Sequence, residues 1–113
     1  MMRTKSFSKQ LYDPEHTLVI YGASVYGEIA RVLLESQGIR PDFFCDKSEK
    51  KTEYYSVPVI QPEKLYSLKN PDIIIASADF FYEIKEMLAK MNFCNLYDLS
   101  ELLEMDIDPA LLS

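Results

Sequence analysis

The sequence predicts an α/β fold in which helices cover both faces of a mostly parallel sheet. Short apolar, β-branched segments alternate with segments of helical periodicity along the 113-residue chain. The first such segment, residues 17–21, ends at Gly22, and a helical pattern that contains Gly27 follows it. Right-handed crossovers between parallel strands then predict a three-layer sandwich with the strand order 3-2-1-4-5.

Five segments have the composition of strands, namely residues 17–21, 41–45, 57–60, 72–77 and 95–97. Residues 73–75 are an unbroken isoleucine run, which predicts a buried central strand. Phe43 and Phe44 are consecutive, so their side chains should lie on opposite faces of the sheet. Pro58 has no backbone N–H for the ladder, which favours an edge position for the third strand.

Three helices are expected between the strands, at residues 25–37, 62–68 and 80–91. The first should bury a stripe formed by Tyr26, Ile29, Ala30, Leu33 and Leu34. Gly38 and Asn92 are expected to end the first and third helices, and Asp79 to cap the start of the third. Asp98 and Glu101 have the spacing of a capping box, which predicts a final helix.

One folded domain is expected at residues 17–104, preceded by a polar arm at residues 1–16 and followed by a tail at residues 105–113. The length and the hydrophobic content of 48% suit a single core and leave no room for a second domain of similar size. Residues 46–56 are rich in charged side chains and are expected to form a loop.

The composition excludes several classes of function. A net charge of −6 and an isoelectric point near 4.7 argue against a nucleic-acid partner, because such binding needs Lys and Arg to neutralise phosphates. No apolar run reaches the roughly 20 residues of a membrane span, and no signal peptide is recognisable, so a cytoplasmic protein without a membrane partner is expected. Cys45 and Cys94 are expected to be buried free thiols, and no metal site is predicted.

The turn after the first strand retains two of the three glycines of a phosphate-binding fingerprint. Gly22 permits a tight turn and Gly27 lets the helix approach the sheet, but the middle position is Ser24. The Ser24 hydroxyl could donate to a phosphate oxygen or accept a backbone N–H as the helix cap, and both roles stay open. Asp46 has about the spacing of an acid that binds a ribose, although an ordinary loop aspartate could also occupy this position.

Ser77, Ala78 and Asp79 should form the opposite wall of a crevice between the first and fourth strands, where a helix N-terminus could meet a polar ligand group. Tyr26 could stack on a base or sugar, or pack in the core. His16, the only histidine, precedes the first strand and is expected at the surface, away from the crevice. No catalytic residue is predicted, because the crevice then lacks the commonest general base.

Four segments, Val19–Ala30, Phe43–Asp46, Val57–Ile60 and Asp72–Ala76, together resemble the Rossmann-like N-terminal domain of bacterial acetyltransferases that act on sialic acids or UDP-amino sugars. They are also similar to accessory domains of polysaccharide-modifying methyltransferases and glycosyltransferases. The resemblance implies a domain that helps to bind a nucleotide sugar, since a separate left-handed β-helix carries the acetyl transfer. This chain has no hexapeptide repeats for such a helix.

The family's turn usually reads Gly-Ala-Gly-Gly-His-Gly, which Gly22, Ala23 and Gly27 match and residues 24–26 do not. Asp46 matches the family's first acidic residue after the second strand, whereas the next position, often acidic in the family, is Lys47. The resemblance therefore implies the family's binding function without its acetyl-transfer function.

The sequence thus predicts a noncatalytic domain that binds a nucleotide or nucleotide sugar and serves sugar or polysaccharide modification. Its predicted site residues are Gly22, Ala23, Ser24, Tyr26, Gly27, Asp46, Ser77 and Asp79. A UDP-sugar or another nucleotide is expected ahead of NAD(P), with a second copy of the chain or an attached transferase as partner. Two alternatives stay open: a small NAD(P)-dependent oxidoreductase or epimerase subunit, and a ligand-free module that joins subunits.

Overall fold

The strands and helices are seen in a computed structural model that describes residues 13–48, 52–77 and 79–99. The strands are β1 (Leu18–Tyr21), β2 (Phe43–Cys45), β3 (Glu53–Tyr54), β4 (Val57–Ile60), β5 (Asp72–Ile75) and β6 (Leu96–Asp98). The helices are α1 (Val25–Ser36), a 3-10 helix (Pro62–Ser67) and α2 (Phe81–Lys90). The architecture is therefore α/β, as predicted.

The six strands form one mostly parallel sheet in the order β3-β4-β2-β1-β5-β6. This order differs from the predicted 3-2-1-4-5, because residues 53–54, expected to lie in a loop, add an antiparallel strand at one edge. The turn that joins β3 to β4 has positive φ at both central residues, Tyr55 (50°) and Ser56 (63°). Turns of this kind match the twist of an antiparallel pair, which allows the short hairpin to form.

Pro58 lies inside the sheet, so the predicted edge position is wrong. Its strand β4 pairs with β2 on one side and with β3 on the other. The Val59 N–H donates to the Thr52 carbonyl oxygen at 2.9 Å, so the nitrogen of Pro58 faces the opposite, β2 side. The first residue of β4 that pairs with β2 is Val59, one residue after Pro58. The sheet can therefore accommodate Pro58 although this residue has no N–H.

Alternate strand residues face two apolar layers. One layer joins α1 to a face that includes Leu18, Ile20 and Phe44. The other joins the 3-10 helix and α2 to a face that includes Val19, Tyr21 and Phe43. Phe43 and Phe44 thus lie on opposite faces, as predicted. Every residue of the central strands β1 and β5 is buried, because helices cover both sides of them.

Helix α1 buries a narrower face than predicted. Its buried residues are Gly27, Ala30, Leu33 and Leu34. Tyr26 and Ile29, both expected in the buried stripe, are 44% and 39% exposed. Gly27 lies on the face of α1 that meets the end of the sheet, and at about 3.6 residues per turn Tyr26 and Ile29 point away from that face.

Each α-helix ends one residue before its predicted bound, at Ser36 and Lys90, and α2 also starts one residue later than predicted, at Phe81. Gly38 follows α1 with φ +76°, and Asn92 follows α2 with φ +70°, as expected of left-handed C-terminal positions. Asp79 does not cap α2, because the N-cap position is Phe80, one residue later. The Phe80 N–H instead donates to Ser77 Oγ at 3.1 Å.

Several predicted features lie outside the described residues: residues 1–12 of the arm, the final helix beyond Leu99, and the tail at residues 105–113. Asp98, the predicted cap of that final helix, belongs to β6.

Cys45 is buried as expected, but Cys94 is exposed, so the prediction for Cys94 is wrong. Within the described ranges, no helix is long and apolar enough to cross a membrane.

Candidate functional site

A cleft of about 410 Å³ lies at the carboxyl end of the sheet, beside the ends of β1 and β5. The last residues of these strands, Tyr21 and Ile75, are neighbours in the parallel register. One side of the cleft is lined by Tyr21, Gly22, Ser24, Asp46 and Lys47. The other side is lined by Ala76, Ser77, Phe80, Glu83, Ile84 and Met87.

The chain leaves the sheet in opposite directions at this cleft. After β1 it passes to α1 on one face, and after β5 it passes to α2 on the other face. Diverging connections of this kind leave a crevice at the carboxyl ends of parallel strands, and helix N-termini point towards it. The cleft therefore occupies the position where open α/β sheets bind their ligands.

Two glycines shape the turn beside the cleft. Gly22 has φ +123°, and a Cβ there would lie 2.6 Å from the Ala76 carbonyl oxygen. A Cβ on Gly27 would lie 1.9 Å from the Gly22 carbonyl oxygen. Because both distances are far below van der Waals contact, the close approach of α1 to the strand ends depends on the absence of a side chain at each position.

Asp46 supports this turn from the end of β2. Its Oδ2 accepts the Ala23 N–H at 2.9 Å, and its Oδ1 accepts the Ser48 N–H at 2.9 Å. Each carboxylate oxygen has a further lone pair, so the same side chain can accept a hydrogen bond from a ligand hydroxyl. A structural role and a ribose-binding role are thus compatible at this position.

Ser24 occupies the N-cap position of α1, yet its side chain makes no capping hydrogen bond. Its side chain is exposed and lines the cleft. Ser77, on the opposite wall, accepts the Phe80 N–H and so supports the start of α2. Neither side chain caps a helix, and of the two hydroxyl groups only that of Ser77 accepts a backbone N–H in the described structure.

The structure brings four of the predicted site residues into the cleft lining: Gly22, Ser24, Asp46 and Ser77. Ala23 and Gly27 are buried next to the lining and build the turn. Tyr26 and Asp79 are exposed and lie outside the lining. Ala78 falls outside the described residues.

The sequence prediction does not include the wall that α2 contributes. This wall consists of Phe80, Glu83, Ile84 and Met87, spaced as one face of a helix. The spacing is a usable signal for a common face. The sequence instead predicts an apolar stripe of Phe81, Ile84, Leu88 and Met91 for this helix, which shares only Ile84 with the wall. Placing the face beside β1 requires the sheet order, which local periodicity does not contain.

Tyr21 is a cleft residue with an unpaired hydroxyl group. The residue is 4% exposed, and its hydroxyl finds no hydrogen-bond partner among the described residues. Burial raises the pKa of the phenol, and the neighbouring acidic groups of Cys45, Asp46 and Glu63 raise it further. Tyr21 therefore stays neutral at physiological pH and keeps a proton that it can donate.

Neither Cys45 nor His16 supplies a reactive group to the cleft. Burial raises the pKa of the Cys45 thiol to about 12, which leaves it protonated and a poor nucleophile. His16 is half-buried rather than at the surface, and its Nδ1 lies 3.1 Å from Asp72 Oδ2. Asp72 begins β5, so His16 lies at the end of this strand that is remote from the cleft.

Within the described part of the chain, no group of three or more His, Cys, Asp or Glu residues is arranged to hold a metal ion. No protein-family model matches the chain, and no curated protein matches it.

Proposed function

We propose that this chain is a Rossmann-like, noncatalytic domain that binds a nucleotide or nucleotide sugar in the cleft beside β1 and β5. The position of the cleft carries the proposal. It lies at the carboxyl ends of two adjacent central strands, where α1 and α2 depart to opposite faces. Nucleotides bind at this position in many parallel sheets, and the volume of about 410 Å³ suits a small molecule.

The cleft offers a polar group for each part of such a ligand. The phosphates would lie at the N-terminus of α1, against Gly22 and the uncommitted hydroxyl of Ser24. Asp46 would accept hydrogen bonds from the ribose hydroxyls while it holds the Ala23 N–H. Ser77 would contact the far side of the ligand from the other wall.

The charges of the lining favour a ligand with few negative charges. Asp46 and Glu83 are acidic, and Lys47 is the cationic residue among the described lining residues. A triphosphate carries about four negative charges near neutral pH and would be repelled by the two carboxylates, whereas each phosphate of a nucleotide sugar carries one. This charge balance supports a nucleotide sugar over a nucleoside triphosphate.

Binding without catalysis is the better interpretation of the cleft. The chain has a single histidine, and His16 is paired with Asp72 at the opposite end of β5. Ser24 consequently has no histidine to activate it as a nucleophile. We infer that the domain acts in the cytoplasm and presents a nucleotide sugar to a transferase that modifies sugars or polysaccharides.

Isothermal titration calorimetry with UDP-glucose, NAD and coenzyme A tests this proposal. UDP-glucose is expected to bind with the highest affinity of the three. Glu83→Gln should strengthen its binding by several-fold, because the change removes a negative charge from the cleft wall. The matched control is Glu86→Gln on the same helix, since Glu86 is exposed, pairs with Lys90 at 3.1 Å and lies outside the lining.

Absence of binding for all three compounds at millimolar concentration would contradict the proposed function. Preferential binding of NAD would contradict the nucleotide-sugar assignment and favour the oxidoreductase alternative. An equal effect of Glu83→Gln and Glu86→Gln would show that the ligand binds outside this cleft.

Subunit association is a second candidate function, favoured by one observation. Val25, Ile29 and Val32 form an exposed apolar row along the outer side of α1, with exposed fractions of 66%, 39% and 48%. Large apolar side chains in a continuous exposed row are typical of contact surfaces. Sedimentation equilibrium tests this candidate, and a strict monomer at high concentration would contradict it.

A further inference from the structure

The unpaired hydroxyl of Tyr21 constrains the chemistry of the ligand. We infer that Tyr21 selects the ligand by donating a hydrogen bond to an uncharged acceptor oxygen, such as a nucleobase carbonyl, in the inner part of the cleft. The inference rests on the proposed nucleotide-binding function and adds that the nucleobase is the part of the ligand that lies innermost.

The first argument is the free-energy cost of burying a hydroxyl group that has no hydrogen-bond partner. Nearly all buried polar groups in folded proteins have a hydrogen-bond partner, because an unpaired one loses its bonds to water without replacement. The Tyr21 hydroxyl has no partner among the described residues although the side chain is almost fully buried. Phenylalanine would fill the same space without this cost, so the hydroxyl is best explained by a bond made in the ligand-bound state.

The second argument concerns charge. Asp46 and Glu63 are the carboxylates that act electrostatically on the Tyr21 phenol, and both disfavour negative charge at this point, whereas the neighbouring Cys45 thiol is neutral. Lys47, the cation of the described lining, is exposed. A phosphate next to Tyr21 would therefore lose its hydration without meeting a positive charge. The acceptor that pairs with Tyr21 must be uncharged.

The third argument is the shape of the wall. Phe80, Ile84 and Met87 present apolar side chains to the cleft from α2. A nucleobase has two apolar faces and polar atoms at its edge, so it can pack on this wall and direct a carbonyl oxygen to Tyr21. The hydroxyl is closed to water in the free chain. Met87, which is unbranched and flexible, is the wall residue best suited to move and admit the ring.

Calorimetry on Tyr21→Phe tests this inference with uridine 5′-monophosphate and with ribose 5-phosphate, which has the same sugar and phosphate but no base. Tyr21→Phe should weaken the binding of uridine 5′-monophosphate about tenfold, because the base loses its donor in a buried site. Ribose 5-phosphate should bind the original chain more weakly and should be unaffected by the substitution. Tyr66→Phe is the matched control, since Tyr66 is 63% exposed and outside the lining.

Urea unfolding of the same variant gives an independent readout. Tyr21→Phe should keep or raise the unfolding midpoint, because it removes an unpaired buried group. A lower midpoint would show that the hydroxyl is paired within the protein and would overturn the inference. Unchanged affinity for uridine 5′-monophosphate would also overturn it, with the proposed function intact. Failure of the original chain to bind any nucleotide would overturn both.

Discussion

Gly27 lies directly against the carbonyl group of Gly22, so closely that a Cβ on Gly27 would be 1.9 Å from the carbonyl oxygen. This contact joins the first turn of α1 to the end of β1. It brings the N-terminus of the helix to the carboxyl edge of the sheet, where the cleft lies. The cleft therefore depends on a backbone contact that no side chain can replace.

Gly27→Ala is expected to destabilise the domain by about 3 kcal/mol or more, because the added methyl group must displace α1 from the strand end. The matched control is Gly38→Ala. Gly38 has φ +76°, and a methyl group added there would meet no atom within 4 Å beyond the adjacent residues, so only backbone strain of about 1–2 kcal/mol is expected. Urea unfolding measures both, and a smaller loss for Gly27→Ala than for Gly38→Ala would contradict the steric argument.

Asp42 and Asp46 flank β2, and the carboxylate of each accepts a backbone N–H. Substituting them should distinguish an effect on stability from an effect on ligand binding. Asp42 Oδ2 accepts the Leu18 N–H at 2.8 Å, and Asp46 Oδ2 accepts the Ala23 N–H at 2.9 Å. Substitution of either residue by Ala should cost about 1–2 kcal/mol of unfolding free energy. Only Asp46→Ala should also weaken UDP-glucose binding, because only Asp46 lines the cleft. Equal binding losses in calorimetry would argue against a ligand role for Asp46.

The two cleft serines should respond differently to removal of the hydroxyl. Ser77→Ala should destabilise the protein by about 1 kcal/mol, because Ser77 Oγ accepts the N–H of Phe80, the residue just before α2. Ser24→Ala should change stability by less than about 0.5 kcal/mol, because Ser24 makes no capping bond, but it should weaken binding of UDP-glucose. A stability loss for Ser24→Ala as large as that for Ser77→Ala would assign Ser24 a capping role instead.

Asp72 should make stability decrease as pH rises. Burial raises its pKa above the ordinary value of 3.8, Asp13 raises it further, and the hydrogen bond from His16 opposes both. The folded state therefore binds this proton more tightly than the unfolded state. The contribution of protonated Asp72 to stability is complete below about pH 3.8, and it is lost as pH rises through the folded-state pKa.

Asp72→Asn removes this titration, so the variant should gain stability relative to the original chain as pH increases from about 4 to 7. Urea unfolding at several pH values measures the difference between the two proteins. A difference that stays constant would show that the His16 interaction cancels the effect of burial, and a change in the opposite direction would show that it outweighs burial.

Local signals in the sequence were sufficient to predict most of the strands and helices. The isoleucine run at residues 73–75 became the buried strand β5, and Gly38 and Asn92 ended their helices. These features depend on neighbouring residues, whose effects on backbone geometry and burial are visible in a short window of sequence. The short strand Glu53–Tyr54 was not predictable in this way, because it exists only through pairing with β4.

The candidate site was predictable only in part, for the same reason. Gly22, Ser24 and Asp46 could be assigned because they follow strands at characteristic spacings. The wall formed by Phe80, Glu83 and Met87 depends on how α2 crosses the sheet, and the unpaired state of Tyr21 depends on every group around it. Such properties arise from contacts between distant segments.

The sequence by itself determined the alternation of strands and helices, the glycine turn and the acid at the end of the second strand, since each follows from local backbone preference and periodicity. Only the tertiary structure decided the six-strand order, the exposure of Tyr26 and Ile29, and the meeting of Tyr21 with the α2 wall. Those outcomes depend on which distant surfaces pack together, and packing is a property of the whole chain.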